Sequence, residues 1–504
     1  LEFRRVLFRS VDCTNRGTVD QASDPRTVNA GGICGFVRNA AESLSGNANE
    51  GEVRIGGAVT LATVGGVYGS FGKAQTVADA ATTNRGGVTV SGIESIEGAY
   101  LRLGGIVGFA YPGTVLSNLT NAGDMTVDLQ SKFSYYAVGG IAGSVECGAS
   151  SCVNEGSLRL NNNQLLTKGM CKIFVGGIVG INYRPTDDGP HIYEDCANRA
   201  EIGFATTDNA FKVLPSFTGG ILGYTEHPVE VRNCEGAAYI NVNNANAKEN
   251  GIFTATGGIV GAVKGTAALI EKCHVTADMR HYQYNNTWDD PLSAANGGGI
   301  VGCALGADEG NRIAITGCSC SGMVESKRSG AAGIVGYARF SDISDCGFTG
   351  GIEGSGPHFA GGIAGTLANS TIAGCTVKAK NIYGHNASSP SLIGVSGIAA
   401  YVVGVSSVSD CKAYATLIRN STVLGTEDAS VTPDNLFGMG MIVGIDAGTT
   451  TVTNCGVGGS FYLGASEKPQ ELILTLDADS YAKGIIGSGK TATVGGCYYW
   501  NGEK

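Results

Sequence analysis

Charge is scarce in this chain. Only 15% of its 504 residues are Asp, Glu, Lys or Arg, against about 25% in ordinary soluble domains. Because 43% of the residues are apolar, the scarcity does not signal disorder, which needs low hydrophobicity together with high net charge. Tryptophan occurs twice, proline 11 times and histidine six times. No apolar run approaches the length of a membrane-spanning helix. A basic excess is also missing. The net charge is −10 and the pI near 5.2, which argues against nucleic acid as a partner and against docking on anionic lipid. No His-Glu-x-x-His, no Gly-x-Ser-x-Gly and no paired Cys-x-x-Cys knuckles occur. Zincin proteases, serine-hydrolase elbows and zinc ribbons are therefore not indicated, and no cofactor is called for.

Glycine, by contrast, is abundant, with 80 residues against a usual share of about 7%. It is not at every third place, so a collagen helix is excluded. It recurs instead in a five-residue pattern, Gly-Gly-Ile-aliphatic-Gly, whose first positions are Gly31, Gly65, Gly104, Gly139, Gly176, Gly219, Gly257, Gly298, Ala332, Gly361, Ser396, Gly440 and Lys483. The spacing averages about 38 residues, which lies in the solenoid range. The central residue is Ile in every copy but one, where it is Val67, and the closing residue is Gly except at Ala400.

A second pattern follows each five-mer: apolar-x-x-Cys-x-x-x-Gly-x-apolar. Cys13, Cys152, Cys196, Cys234, Cys273, Cys318, Cys346, Cys375, Cys411, Cys455 and Cys497 share one slot, with Leu119 standing there in the repeat begun by Gly104. The slot takes a small or medium apolar group, and a free thiol packs as one. The reading is a reduced, buried cysteine ladder.

Each repeat holds three short runs of strand character broken by Gly, Asn and Asp, with weak helical periodicity. Such a unit cannot bury its apolar face alone. Copies stacked about 4.8 Å apart pair strand on strand and bury a continuous core. The fold class is all-β, a parallel β-solenoid or β-helix of about 13 coils. The central Ile residues should form an aliphatic ladder, with the flanking glycines allowing close approach of backbone.

The strings that begin at Ala332 and Gly361, and the closing Gly496-Cys497-Tyr498-Tyr499-Trp500, resemble the repeats of the GLUG-motif family. That motif is Gly-Leu/Ile-x-Gly, then a hydrophobic-x-x-Cys strand, then Gly-x-Val. The resemblance covers nearly all of residues 11–504. It implies a secreted or cell-surface bacterial repeat protein of adhesin type, extracellular in location, with a surface glycan or protein as partner. It implies no catalytic residues.

Residues 1–10, LEFRRVLFRS, look like an adapter tail translated in frame. The expectation is one solenoid over 11–504, a piece of a longer protein, with 461–480 as a partial cap. Insertions relative to the period are expected at 182–194, 202–217, 279–295, 303–315, 418–437 and 461–480, projecting from the coil as binding loops. Two nucleotide-like strings are set aside. Gly484, Gly489, Lys490 and Thr491 match a phosphate loop, and Gly297, Gly299 and Gly302 a dinucleotide fingerprint, but both lie in phase with the repeat and neither precedes a helical pattern.

One insertion carries the binding expectation. Tyr282, Tyr284, Asn285, Asn286, Trp288 and Asp289 combine aromatic faces for stacking on sugar rings with amides and a carboxylate for hydroxyls. The competing reading is that these aromatics fold down and seal the coil. A second function class also stays open, a glycan-binding or glycan-cleaving β-helix. Its carboxylates would have to converge in a groove, whereas Asp187-Asp188 and Asp289-Asp290 read as solvated turns.

Overall fold

A computed structural model describes residues 9–21, 27–39, 43–78, 81–128, 133–162, 172–183, 189–206, 216–244, 254–283, 295–327, 330–353, 359–385, 393–420, 438–464, 474–476, 484–489 and 492–503. Among them there is no helix; the chain is a parallel β-solenoid. It divides into two compact units, Leu1–Asn241 and Val242–Lys504.

Each unit is built from three parallel sheets. In the first unit, one sheet follows the five-mers: Cys34–Val37, Tyr68–Phe71, Val107–Ala110, Ala142–Val145, Val179–Asn182 and Leu222–Thr225 pair in that order. A second contains Thr76–Val77, Val115–Ser117, Ala149–Ser150, His191–Glu194 and Val229–Arg232. The third holds the two-residue strands just after the cysteine slot and the longer strands leading into the next five-mer, such as Phe133–Gly139 on Lys172–Gly176. The second unit repeats the plan, for example with Val301–Leu305 on Val335–Arg339 and Ile313–Thr316 on Ser341–Ser344. One described pairing is antiparallel: Leu474–Leu476 turns back on Gly456–Gly464. A coil therefore has four or five strand segments on three sheets, rather than three runs, because the Cys-slot corner splits one run in two. The expected insertions are also narrower. His191–Glu194 and Ile313–Thr316 are sheet strands, so much of 182–194 and 303–315 belongs to the coil.

The five-mer is a corner. Its first glycine ends one strand, the second glycine and the Ile make the bend, and the next strand starts directly after. The Ile side chains point in. Ile106, Ile141, Ile178 and Ile221, like Ile259, Ile300, Ile334, Ile363, Ile398 and Ile442, are fully buried, and only Ile33 is half-buried. Their backbones run coil to coil, Ile106 N to Ile141 O at 2.9 Å, Ile141 N to Ile178 O at 3.0 Å and Ile178 N to Ile221 O at 3.1 Å. None of the five-mer glycines has a positive φ. Their job is close approach. A Cβ on Gly140 would fall on the Gly177 carbonyl and on the Asn154 side chain, well inside van der Waals contact.

Left-handed backbone sits elsewhere, at the residue just before the cysteine slot. Asn118, Ser151, Asp195, Asn233, Lys272, Asp345, Asp410 and Asn454 have φ of 50–55° there, and Gly317, Gly374 and Gly496 take the same place. This explains the Asn, Asp and Gly preference at that position, since short polar side chains and glycine tolerate this region best.

Two residues past the slot the first unit carries a further ladder. Asn49, Asn84, Asn121, Asn154 and Asn198 are wholly buried. Each side-chain amide donates to the carboxamide oxygen of the next: Asn49 to Asn84 at 2.8 Å, Asn84 to Asn121 at 2.7 Å, Asn121 to Asn154 at 2.9 Å and Asn154 to Asn198 at 2.8 Å. The second amide hydrogen goes to a carbonyl two residues on, as from Asn84 to Gly86 and from Asn154 to Gly156. Buried amides thereby satisfy one another along the axis. Asn121→Ala would strand a donor on Asn84 and an acceptor on Asn154. An unsatisfied buried group costs about 1–3 kcal/mol, so the variant should unfold at lower urea by that amount; an unchanged midpoint would show that the ladder carries no stability. In the second unit the same position holds Val275, Cys320, Phe348, Val377, Ala413 and Val457, all buried.

The cysteine slot is a ladder too. None of the fifteen described cysteines is disulfide-bonded, and those in the slot are buried except Cys13 and Cys497. In the repeats begun by Gly31 and Gly65 the slot is filled by Asn47 and Thr82, both buried, with Asn47 donating to the Tyr68 hydroxyl at 2.6 Å.

Candidate functional site

The strand Met279–Gln283 leads into the segment expected to bind. Its side chains alternate: Met279 and His281 are buried, while Arg280 and Tyr282 face outward beside Asp278. Register places Arg280 opposite Glu325 and Tyr282 opposite Lys327 on the next coil, and Glu325 opposite Glu353 on the coil after that. Arg280 Nε donates to Glu325 Oε2 at 2.7 Å, the Tyr282 hydroxyl donates to Glu325 Oε1, and the Arg280 guanidinium lies 5.0 Å from the centre of the Tyr282 ring. Both oxygens of Glu325 are thus engaged. Tyr282 is half-buried in this cluster. The other expected residues, Tyr284, Asn285, Asn286, Trp288 and Asp289, lie outside the described residues, as do Asp187-Asp188 and Asp289-Asp290.

Beside the cluster the outer face is indented. A groove of about 320 Å³ is lined by Asp278, Met323, Gly351, Glu353, Lys380 and Asn381, among others. Two local features make it. Gly351 lacks the side chain that would touch the Met323 thioether. A β-bulge then supplies Lys380: Ala379 pairs with Ala415 and Asn381 with Thr416, leaving Lys380 unpaired. Bulges of this kind re-aim a side chain beside binding sites. Asp278 is held in place by the Met323 N–H, which donates to its carboxylate at 2.8 Å. The groove thus offers an ammonium, two carboxylates, an amide and hydroxyls to a polar ligand. Sequence reading found Tyr282 but not Glu325, Glu353 or Lys380. The only signal for Lys380 was one residue too many for strict alternation between Thr376 and His385.

His281 lies on the inner side of the same strand. It is fully buried, with Nδ1 2.8 Å from the Thr256 hydroxyl. Burial pushes its imidazole down to about 4. Above the unfolded value of about 6.5 it is neutral in both states and contributes nothing. Between 6.5 and 4 the unfolded chain takes up a proton that the folded chain refuses, so stability should fall by up to about 3 kcal/mol with falling pH. His281→Gln should flatten this acid limb in urea titrations at several pH values. An identical limb in the variant would remove His281 as its cause.

The described parts of the two nucleotide-like strings fold as coil, and Lys490 and Thr491 lie outside the described residues. Ile486–Ser488 is a strand in register with Val443–Asp446, and Gly297 to Gly302 runs strand, bend, strand. Among the described residues no group of three or more His, Cys, Asp or Glu gathers to hold a metal ion, and no helix is long and apolar enough to cross a membrane. No family model matches the chain, and neither a curated protein nor a solved structure does.

Proposed function

We propose that this chain is a non-enzymatic repeat protein of the GLUG type, secreted or displayed at a bacterial surface, acting as an adhesin-like binding scaffold. The observation that carries the reading is the contrast between the two sides of the strands. Inward positions of the second unit repeat from coil to coil as the corner Gly and Ile and the slot Cys. The outward row of the second unit changes at every step, from Arg280 to Glu325 to Glu353. A fold fixed by its interior leaves its outer face free to specify a ligand. The ligand class that suits the ammonium, carboxylates, amide and hydroxyls around the groove is a surface glycan.

The test is an array of bacterial and host glycans probed with the whole chain. Binding that drops at least tenfold in both Tyr282→Ala and Lys380→Ala, with unchanged melting, supports the reading. Release of new reducing ends or of unsaturated uronates from any polysaccharide would instead make the chain an enzyme. Retention of no glycan by the intact chain would remove the glycan from the proposal.

A further inference from the structure

In the second unit the cysteine slot is filled by a thiol in every coil: Cys273, Cys318, Cys346, Cys375, Cys411, Cys455 and Cys497. The fold does not require this. The first unit builds the same corner with Asn47, Thr82 and Leu119, all buried.

The seven stand in strict register. The residue after each cysteine donates its N–H to the cysteine carbonyl of the preceding coil, from Ser319 to Cys273 at 2.9 Å, Gly347 to Cys318 at 2.9 Å, Thr376 to Cys346 at 2.9 Å, Lys412 to Cys375 at 2.8 Å, Gly456 to Cys411 at 2.8 Å and Tyr498 to Cys455 at 2.9 Å. The side chains share one orientation. Each Sγ lies against the carbonyl two residues back, at 3.4 Å for Cys318, 3.2 Å for Cys346, 3.5 Å for Cys375, 3.1 Å for Cys411 and 3.3 Å for Cys455. Like side chains in like rotamers on in-register parallel strands repeat about every 4.8 Å.

That repeat has a chemical meaning. A metal–thiolate bond is about 2.3 Å, so an ion midway between two such sulfurs is bound to both in a straight line. Two thiolates are too few for zinc, which takes four ligands. They suit soft d10 monovalent ions, for which thiolate is the preferred donor.

We propose that this row is a binding site for a soft, two-coordinate monovalent cation of the copper(I) class, each ion bridging the sulfurs of two adjacent coils. On binding, two S–H bonds are lost and two metal–sulfur bonds form. Both protons go to water, no oxidation state changes, and each bridged unit carries one net negative charge. Seven thiols taken in adjacent pairs accommodate three ions.

Silver(I) is the probe. The reduced whole chain, refolded with silver(I), should retain about four ions after passage over a weak competing chelator, three on the second-unit row and one on Cys152, Cys196 and Cys234, which share the slot and its register in the first unit. It should release two protons per ion, show a thiolate-to-metal absorption band and melt at a higher temperature. Cys346→Ala combined with Cys375→Ala should lower the retained silver by one ion or more. X-ray absorption on the silver-loaded wild-type chain, which needs no variant to fold, should show two sulfur neighbours at one distance. Stoichiometry unmoved by the double substitution overturns the proposal. So does silver held only by Cys13, Cys34 and Cys497, or a shell of nitrogen and oxygen neighbours.

Discussion

Gly140→Val should prevent the chain from reaching its native state or lower its stability by more than about 4 kcal/mol, at the extreme of what single substitutions do. The cause is local and steric. Gly140 is the second residue of a five-mer, its backbone pairs with Gly176 at 3.1 Å, and a Cβ there would fall on the Gly177 carbonyl and the Asn154 carboxamide. Neither neighbour can yield. The carbonyl belongs to the corner of the next coil, and Asn154 is tied to Asn121 at 2.9 Å and to Asn198 at 2.8 Å. Relief would mean opening the corner, the strand pairing and the asparagine ladder together. Gly347→Ala is the control. Nothing lies within 4 Å of a Cβ there, so a shift within about 0.5 kcal/mol is expected, as for ordinary surface changes. Soluble yield and urea midpoints of the two variants check both statements. Near-equal stabilities would show that the five-mer glycines are not steric requirements.

Ile178→Ala should cost about 4 kcal/mol, in the upper part of the range for truncating a buried aliphatic side chain. Ile178 is fully buried, and its neighbours in the stack, Ile141 and Ile221, are held by backbone hydrogen bonds of 3.0 and 3.1 Å. Coils locked at that spacing cannot close over the cavity, so little of the loss is recovered. Ile33→Ala, at a half-buried position, should cost less than half as much. Thermal and urea unfolding of the pair give the comparison, and a cost at Ile178 no greater than at Ile33 would contradict the stacked core.

Why some of this was legible in the sequence and some was not follows from the physics of each position. The five-mers could be read because steric exclusion narrows the choice: where backbone meets backbone glycine fits best, Ala332, Ser396, Met441 and Ala400 are the few replacements among the described residues, and the phase repeats coil after coil. The cysteine slot was visible through the rarity of the residue, although Asn47 and Thr82 escaped because they are common. The asparagine ladder was present as Asn-x-Gly at Asn49, Asn84, Asn121 and Asn154, but asparagine beside glycine also marks a turn. Composition cannot distinguish a carboxamide that caps a turn from one stacked on its copy in the next coil. The outer face was the least legible part. Tyr282 and Glu325 meet across 43 residues of chain, through a register fixed by interior positions. Lys380 is exposed in the groove by a single unpaired residue that leaves the residue pattern almost unchanged. The binding expectation on Tyr284 to Asp289 drew on residue type alone.

The solenoid depends on coils stacked in register, and the asparagine ladder reports that register most directly. A double-mutant cycle on Asn84 and Asn121, joined by a 2.7 Å hydrogen bond, should give a coupling energy of at least about 1 kcal/mol, as for residues in one buried network. The same cycle on Asn49 and Asn154, which exchange no hydrogen bond, should be additive within about 0.5 kcal/mol. Additivity in both cycles would mean that these side chains do not stack coil on coil, and would contradict the register on which the fold and the thiol row depend.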